Sequence, residues 1–249
     1  MTGLLNHPLI TERYFFPRGA PPINPHLIKV PGATLACWSD LRETQDPLLV
    51  HFHGNGELIH DWISPLGTFA QQARLQLFLA EYRGYGASTG RPELGHLLED
   101  VGANAEAIAV PPERVVVMGR SVGSIFAIEW VRRFPNTAGL IIESGIHDVY
   151  ERLALRLEPH EVDLAALRRE VEGRCHHGEV LSNFQGRSLF LHALNDQLVS
   201  ASHARRNHAA CTGPSELVLF PHGDHNSILY ENQRDYWAHV FEYLRCLDL

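Results

Sequence analysis

The chain has 249 residues, room for one large α/β domain or two small ones. Apolar residues make up 45% and charged residues 20%, the balance of a soluble globular protein with a sizeable core. The net charge of −8 is spread over both halves, which excludes the basic stripe of a nucleic-acid binder, and no apolar run approaches membrane-spanning length.

The first 22 residues lack a basic start followed by an apolar stretch, so no signal peptide is expected and a cytoplasmic location follows. Cys37, Cys175, Cys211 and Cys246 are scattered without a C-x-x-C pair, which suits free thiols in a reducing compartment.

Taken in chain order, residues 27–30 and 34–38, joined across Pro31-Gly32, read as an antiparallel hairpin. The run 47–52 is a short strand ending at His53-Gly54-Asn55-Gly56. Residues 58–75 have helical spacing, and 77–82 form the next strand, closed by Arg83-Gly84-Tyr85-Gly86. Residues 94–109 are helical up to Pro111-Pro112. A β-branched strand from 114 then enters Gly119-Arg120-Ser121-Val122-Gly123, followed by a helix over 121–134. Strands follow at 140–142, 188–193 and 216–220, and a helix over 227–244 closes the chain. Strands alternating with helices predict an α/β fold with a parallel sheet covered on both faces. The polar, helix-like stretch 147–184 has no strand and exceeds the length of a simple crossover, so a small helical cap is expected there within a single 1–249 domain.

Gly-x-Ser-x-Gly between a strand and a helix is the pattern of a sharp turn that lifts a serine hydroxyl clear of a sheet, with Ser121 as candidate nucleophile. Its glycines are needed where a Cβ would meet neighbouring backbone. Acyl transfer places charge on the former carbonyl oxygen, and removing one preorganised N–H donor costs about 3 kcal/mol. The amide of Val122 is one candidate donor; the amide of Asn55, in a turn shaped by Gly54, is the other. The strand 188–193 runs into a loop presenting Asp196, and the strand 216–220 into a loop presenting His225. Parallel strand ends can bring a histidine base to the serine and a carboxylate to the histidine, in the chain order Ser, Asp, His.

These residues resemble the α/β-hydrolase family, and within it the small serine hydrolases with a His-Gly-Asn oxyanion turn. The resemblance runs from about residue 15 to the C-terminus, through His53-Gly54-Asn55, Tyr82-Arg83-Gly84-Tyr85-Gly86, Gly119 to Gly123, Asp196 and Gly223-Asp224-His225-Asn226. It implies an eight-stranded, mostly parallel sheet with helices on both faces, a Ser121–Asp196–His225 triad and no cofactor.

Several residues compete for these roles. His222 could replace His225, but the family pattern places the base before an asparagine, as in His225-Asn226. Glu143 ends the strand after the serine, where some relatives carry the acid, and could replace or assist Asp196. Asp224 is expected to point away from His225, and His192 to be a satisfied structural histidine. Arg120 puts a permanent charge beside the nucleophile, to be paired with Glu143 or another acid, or used to select anionic substrate groups. Trp62, Tyr85 and Phe126 could line an acyl pocket, although core filling is the ordinary use of such rings.

A metal is a weaker reading of the 16 histidines. His51-x-His53 with His60-Asp61 partly resembles the ligand run of metallo-β-lactamase-like hydrolases, yet Asn55 and Gly56 stand where that run needs Asp and His. His176 and His177 are adjacent, and adjacent helical residues diverge. The expectation is therefore a metal-free serine hydrolase acting on a small soluble ester, thioester or amide, without nucleic-acid partners or membrane insertion. Acyl transfer, peptidase activity and a catalytically silent binding role are the alternatives; oligomeric state is not readable.

Overall fold

A computed structural model describes residues 3–42 and 44–247. Eight strands form one sheet: β1 (His26–Val30), β2 (Ala33–Asp40), β3 (Leu48–Phe52), β4 (Gln76–Ala80), β5 (Val115–Arg120), β6 (Gly139–Glu143), β7 (Arg187–Ala193) and β8 (Ser215–Phe220). Their order is β1-β2-β4-β3-β5-β6-β7-β8. The β1/β2 and β2/β4 pairings are antiparallel and the remainder parallel.

Every residue of β3, β4, β5 and β6 is buried, as a sheet covered on both faces requires. The pleat divides the strands between two cores. Val115 and Val117 face one core together with Leu48, Val50 and Phe52. Val116 and Met118 face the other with Leu49, Leu77 and Leu79. Helices α2 (Ile59–Ala73) and α10 (Gln233–Arg245) cover the second face through Trp62, Leu66, Phe69, Tyr236 and Val240. Helices α3 (Leu94–Ile108) and α4 (Gly123–Arg133) cover the first through Leu97, Val101, Phe126 and Trp130.

The expected strands and long helices are present with ends displaced by a residue or two. Three features differ. The C-terminal helix is broken into α9 (Ile228–Glu231) and α10, with Asn232 between them donating through Nδ2 to the carbonyls of His222 and Ile228. Two helices lay outside the sequence reading, α1 (Pro8–Tyr14) and α8 (Ala201–Ala210). Helix α8 buries only His203, Ala204 and Asn207, so it carries no apolar stripe to be read.

The stretch 147–184 forms α5 (Val149–Ala154), α6 (Leu164–Arg174) and α7 (His177–Asn183). Asp148 and Asp163 cap the first two by accepting from the amides of Glu151 and Ala166, each at 2.9 Å. Glu170 of α6 accepts the amides of Leu4 and Leu5, which ties this segment to the N-terminal 3-10 turn Leu4–Asn6. Among the described residues no helix is long and apolar enough to cross a membrane.

Candidate active site

The turn after β5 carries the strain that its sequence anticipates. Ser121 has φ +54°, in the left-handed region that a non-glycine residue rarely occupies. A Cβ on Gly119 would lie 2.5 Å from the carbonyl oxygen of Gly123, and one on Gly123 would overlap that of Phe52. Only glycine lets α4 begin this close to β3 and β5.

The three residues expected to converge do so. His225 Nε2 lies 2.9 Å from Ser121 Oγ, and His225 Nδ1 lies 2.7 Å from Asp196 Oδ2. An ionised carboxylate only accepts, so Nδ1 carries the proton and Nε2 is left to accept from the serine hydroxyl. Asp196 Oδ1 accepts the amides of Leu198 (2.9 Å) and Val199 (2.7 Å). Burial pushes the Asp196 pKa up, but hydrogen bonds from His192 and His225 and the Val199 amide hold it well below the usual carboxylate range. The acid therefore stays ionised as an acceptor for His225.

The rivals are placed elsewhere. Glu143 accepts from Arg120 Nε at 2.9 Å and from the Tyr236 hydroxyl at 2.5 Å, both away from His225. His222 is exposed, and Gly223 at φ +79° turns the chain between it and His225. Asp224 Oδ1 accepts the amides of Asn226 and Ser227 and the Ser227 hydroxyl, so it shapes the loop that presents His225. His192 departs from expectation. Its Nε2 is shared between the Val199 carbonyl (2.8 Å) and Asp196 Oδ2 (3.3 Å), while its buried Nδ1 has no partner among the described residues. It braces Asp196 rather than being fully satisfied itself.

Among the described residues the amides of Asn55 and Val122 donate to no acceptor, and both residues line the cavity in front of Ser121. The Gly54 amide is not available in this way, because it donates to Glu57 Oε2 at 2.7 Å. Gly54 instead makes room, since its Cβ would lie 2.5 Å from Arg120 Nη1. The Asn55 side chain fastens the turn: Oδ1 accepts the Phe16 amide (3.0 Å) and the Tyr85 hydroxyl (2.8 Å), while Nδ2 donates to the Tyr14 carbonyl. Behind it, His53 Nε2 meets Glu81 Oε1 and Nδ1 meets the Gly54 carbonyl, both at 2.8 Å. Burial disfavours a charged His53, yet Glu81 beside it raises the pKa above the ordinary value. Two acceptors on two ring nitrogens fit an imidazolium.

Arg120 is the charge beside the nucleophile, and it is fully engaged. Nε binds Glu143, Nη1 binds Glu57, and Nη2 donates to the His225 carbonyl at 2.6 Å. Pairing, rather than ligand selection, is thus what this residue does. Glu57 also accepts from Trp62 Nε1 at 3.0 Å. Neither Glu57 nor Tyr236 was singled out in the sequence; only the buried charge of Arg120, which demands acidic partners, could have pointed to them.

The cavity before Ser121 has a volume of about 260 Å³, with apolar wall from Ile146 and Leu198. Trp62, Tyr85 and Phe126 do not line it. Trp62 packs its ring 4.5 Å from that of His51, Tyr85 is buried with its hydroxyl on Asn55, and Phe126 packs between Phe52 and Tyr82. Each ring already has a packing or hydrogen-bonding task in the interior, which keeps it from the cavity.

No group of three His, Cys, Asp or Glu side chains among the described residues is arranged to hold a metal ion. His53 has both nitrogens occupied, His176 turns to Glu179 and His177 to the Ile146 carbonyl. The four cysteines are unpaired.

No protein-family model matches the chain. It is 25% identical over 184 residues to the uncharacterized protein YfhR of Escherichia coli (strain K12), an alignment covering 71% of this chain and 62% of that protein. It is 25% identical over 225 residues to the alpha/beta hydrolase domain-containing protein WAV2 of Arabidopsis thaliana, covering 81% and 71%. The chain thus spans less than two thirds of the length of the YfhR proteins it matches, 62% and 63% of them. Among solved structures, mouse alpha/beta hydrolase domain-containing protein 10 superposes with a TM-score of 0.69 at 14% identity, covering 89% of this chain and 98% of that one. With its sheet order, its strained serine turn and these relatives, the chain has the α/β-hydrolase fold and is similar to proteins of that family.

Proposed function

We propose that the protein is a serine hydrolase that cleaves a carboxylic ester, thioester or amide through an acyl-enzyme. The observation that carries this reading is the continuous relay from Ser121 Oγ to His225 (2.9 Å) and from His225 to Asp196 (2.7 Å).

Ser121 Oγ attacks the acyl carbonyl carbon while His225 Nε2 takes the hydroxyl proton. The carbonyl oxygen becomes an oxyanion facing the amides of Asn55 and Val122, and the positive end of α4 adds to that field. As the bond to the leaving group breaks, His225 returns the proton to it. Water then enters, gives a proton to His225 and attacks the acyl carbon. Collapse frees the acid, and Ser121 regains its proton from His225. Asp196 holds the imidazole in the required tautomer and stabilises the imidazolium formed in each half-reaction. Helix α5, with the residues around it in the 147–184 insertion, acts as a partial cap, since Arg152 and Arg156 border the cavity.

The test is turnover of 4-nitrophenyl butyrate by wild type and Ser121→Ala. The reading expects kcat to fall by about 10³-fold or more with thermal stability retained. Turnover by Ser121→Ala near the wild-type rate would remove the assignment.

A further inference from the structure

The Ser121 cavity has one feature that ester hydrolysis does not require. Among the described residues no carboxylate lines it, but three arginines do: Arg120, Arg152 and Arg156. They differ in how their charge is used. Arg120 is neutralised by Glu57 and Glu143. Arg156 donates through Nη1 to the Arg13 carbonyl at 2.8 Å and lies 5.2 Å above the Phe16 ring, so it is held in place without a carboxylate partner among the described residues. Arg152, half-buried on α5, makes no ion pair and no side-chain hydrogen bond among the described residues. Both cations also bear on Tyr14, another wall of the cavity: burial pushes its hydroxyl pKa up to about 12, and the two arginines pull against that.

An arginine that is partly desolvated and unpartnered loses hydration without gaining an acceptor. Its planar fork suits a carboxylate or phosphate, which it can bind through two parallel N–H donors. The protein carries a net charge of −8, so this positive corner runs against its overall charge. A site of this polarity draws an anion towards the mouth where Ser121 waits.

We infer that Arg152, flanked by Arg156, binds a carboxylate or phosphate group of the substrate, so that the site selects esters bearing a negative charge near the scissile bond. This rests on the hydrolase reading of the same site, and it makes Arg152 a specificity-determining residue. The anionic group can belong to the acyl part or to the leaving alcohol; the chemistry recognised is the same.

The experiment compares two matched pairs of esters. In the first the charge is on the acyl part: 4-nitrophenyl hemisuccinate against 4-nitrophenyl butyrate. In the second it is on the leaving group: 3-acetoxybenzoate against phenyl acetate. Within at least one pair, wild type is expected to show kcat/KM about tenfold or more higher for the anionic ester, the scale of one charge-assisted hydrogen bond. That ratio falls about tenfold in Arg152→Gln, inverts in Arg152→Glu, and shrinks in wild type as salt is raised. The pair that responds identifies which side of the bond carries the charge. Equal kcat/KM within both pairs, or a preference that survives Arg152→Glu, overturns the inference while leaving the hydrolase reading intact. If wild type hydrolyses none of the four esters and Ser121 resists fluorophosphonate labelling, the hydrolase reading falls and the inference falls with it.

Discussion

Arg120 Nη2 donates to the main-chain carbonyl of His225 at 2.6 Å, so the residue before the candidate nucleophile also holds the loop that carries the candidate base. Its other two donor groups reach Glu143 at the end of β6 and Glu57 beside the His53–Gly56 turn. One guanidinium therefore ties together three segments whose relative positions decide the geometry at Ser121.

Lysine cannot reproduce this, because a single ammonium on a flexible stem cannot reach three divergent acceptors. Arg120→Lys is expected to lower kcat on 4-nitrophenyl butyrate by about 10- to 100-fold through misplacement of His225. Arg120→Met leaves Glu143 buried without its cation and is expected to cost about 3–5 kcal/mol in urea unfolding. Wild-type kcat in Arg120→Lys would show that the His225 loop is held by other means.

The glycines of the serine turn differ in kind from glycines elsewhere. Gly123→Ala forces a methyl group into the Phe52 carbonyl and is expected to destabilise the fold by about 3 kcal/mol or more. Gly173, exposed within α6, has no described neighbour within 4 Å of its would-be Cβ beyond its own helix backbone. Gly173→Ala should raise stability by about 0.5–1 kcal/mol. Thermal or urea unfolding of the pair checks both signs.

The assignment of the acid separates Asp196 from Glu143. Asp196→Asn replaces an obligate acceptor of His225 with a group that also donates, and kcat is expected to fall by about 10³- to 10⁴-fold. Glu143→Gln weakens the hold on Arg120 and Tyr236, with an expected loss of about 1–3 kcal/mol in stability and a kcat loss near tenfold. Steady-state kinetics of the two variants decide the matter; the reverse order of kcat losses would move the acid to Glu143.

Burial lowers the pKa of His177 to about 4, and it lowers that of His51 as well. On unfolding, each imidazole returns to about 6.5, so between pH 6.5 and 4 the unfolded chain binds protons that the folded chain refuses. Stability is accordingly expected to fall as pH drops through that window, with His177 contributing of order 3 kcal/mol by its lower end. His177→Asn can still donate to the Ile146 carbonyl but does not titrate. Its unfolding free energy should depend less steeply on pH between 6.5 and 4.5; an unchanged slope would contradict the assignment.

The parts of the site that sit at strand ends were legible in the sequence. Ser121, Asp196 and His225 each follow a short apolar run that had to be a buried strand, and the turn types at Gly119–Gly123 and His53–Gly56 announce special backbone. What the sequence hid is held together by side chains of ordinary type at long range. Glu57 and Tyr236 find Arg120 and Glu143 only through the fold, and His192 reaches Asp196 across a loop. Helix α8 was missed because its buried positions are His203, Ala204 and Asn207, which give no apolar period. The charged corner of Arg152 and Arg156 likewise sits in a polar stretch, where nothing in the residue types says which arginines will lack a partner.

The most direct test of the account is where a covalent probe attaches. Incubation with a fluorophosphonate, followed by digestion and peptide mass spectrometry, is expected to give one adduct, on Ser121, with labelling lost in His225→Ala under the same conditions. Absence of an adduct from the wild-type protein, or an adduct at another serine with Ser121 unmodified, would contradict the proposal that Ser121 is the nucleophile.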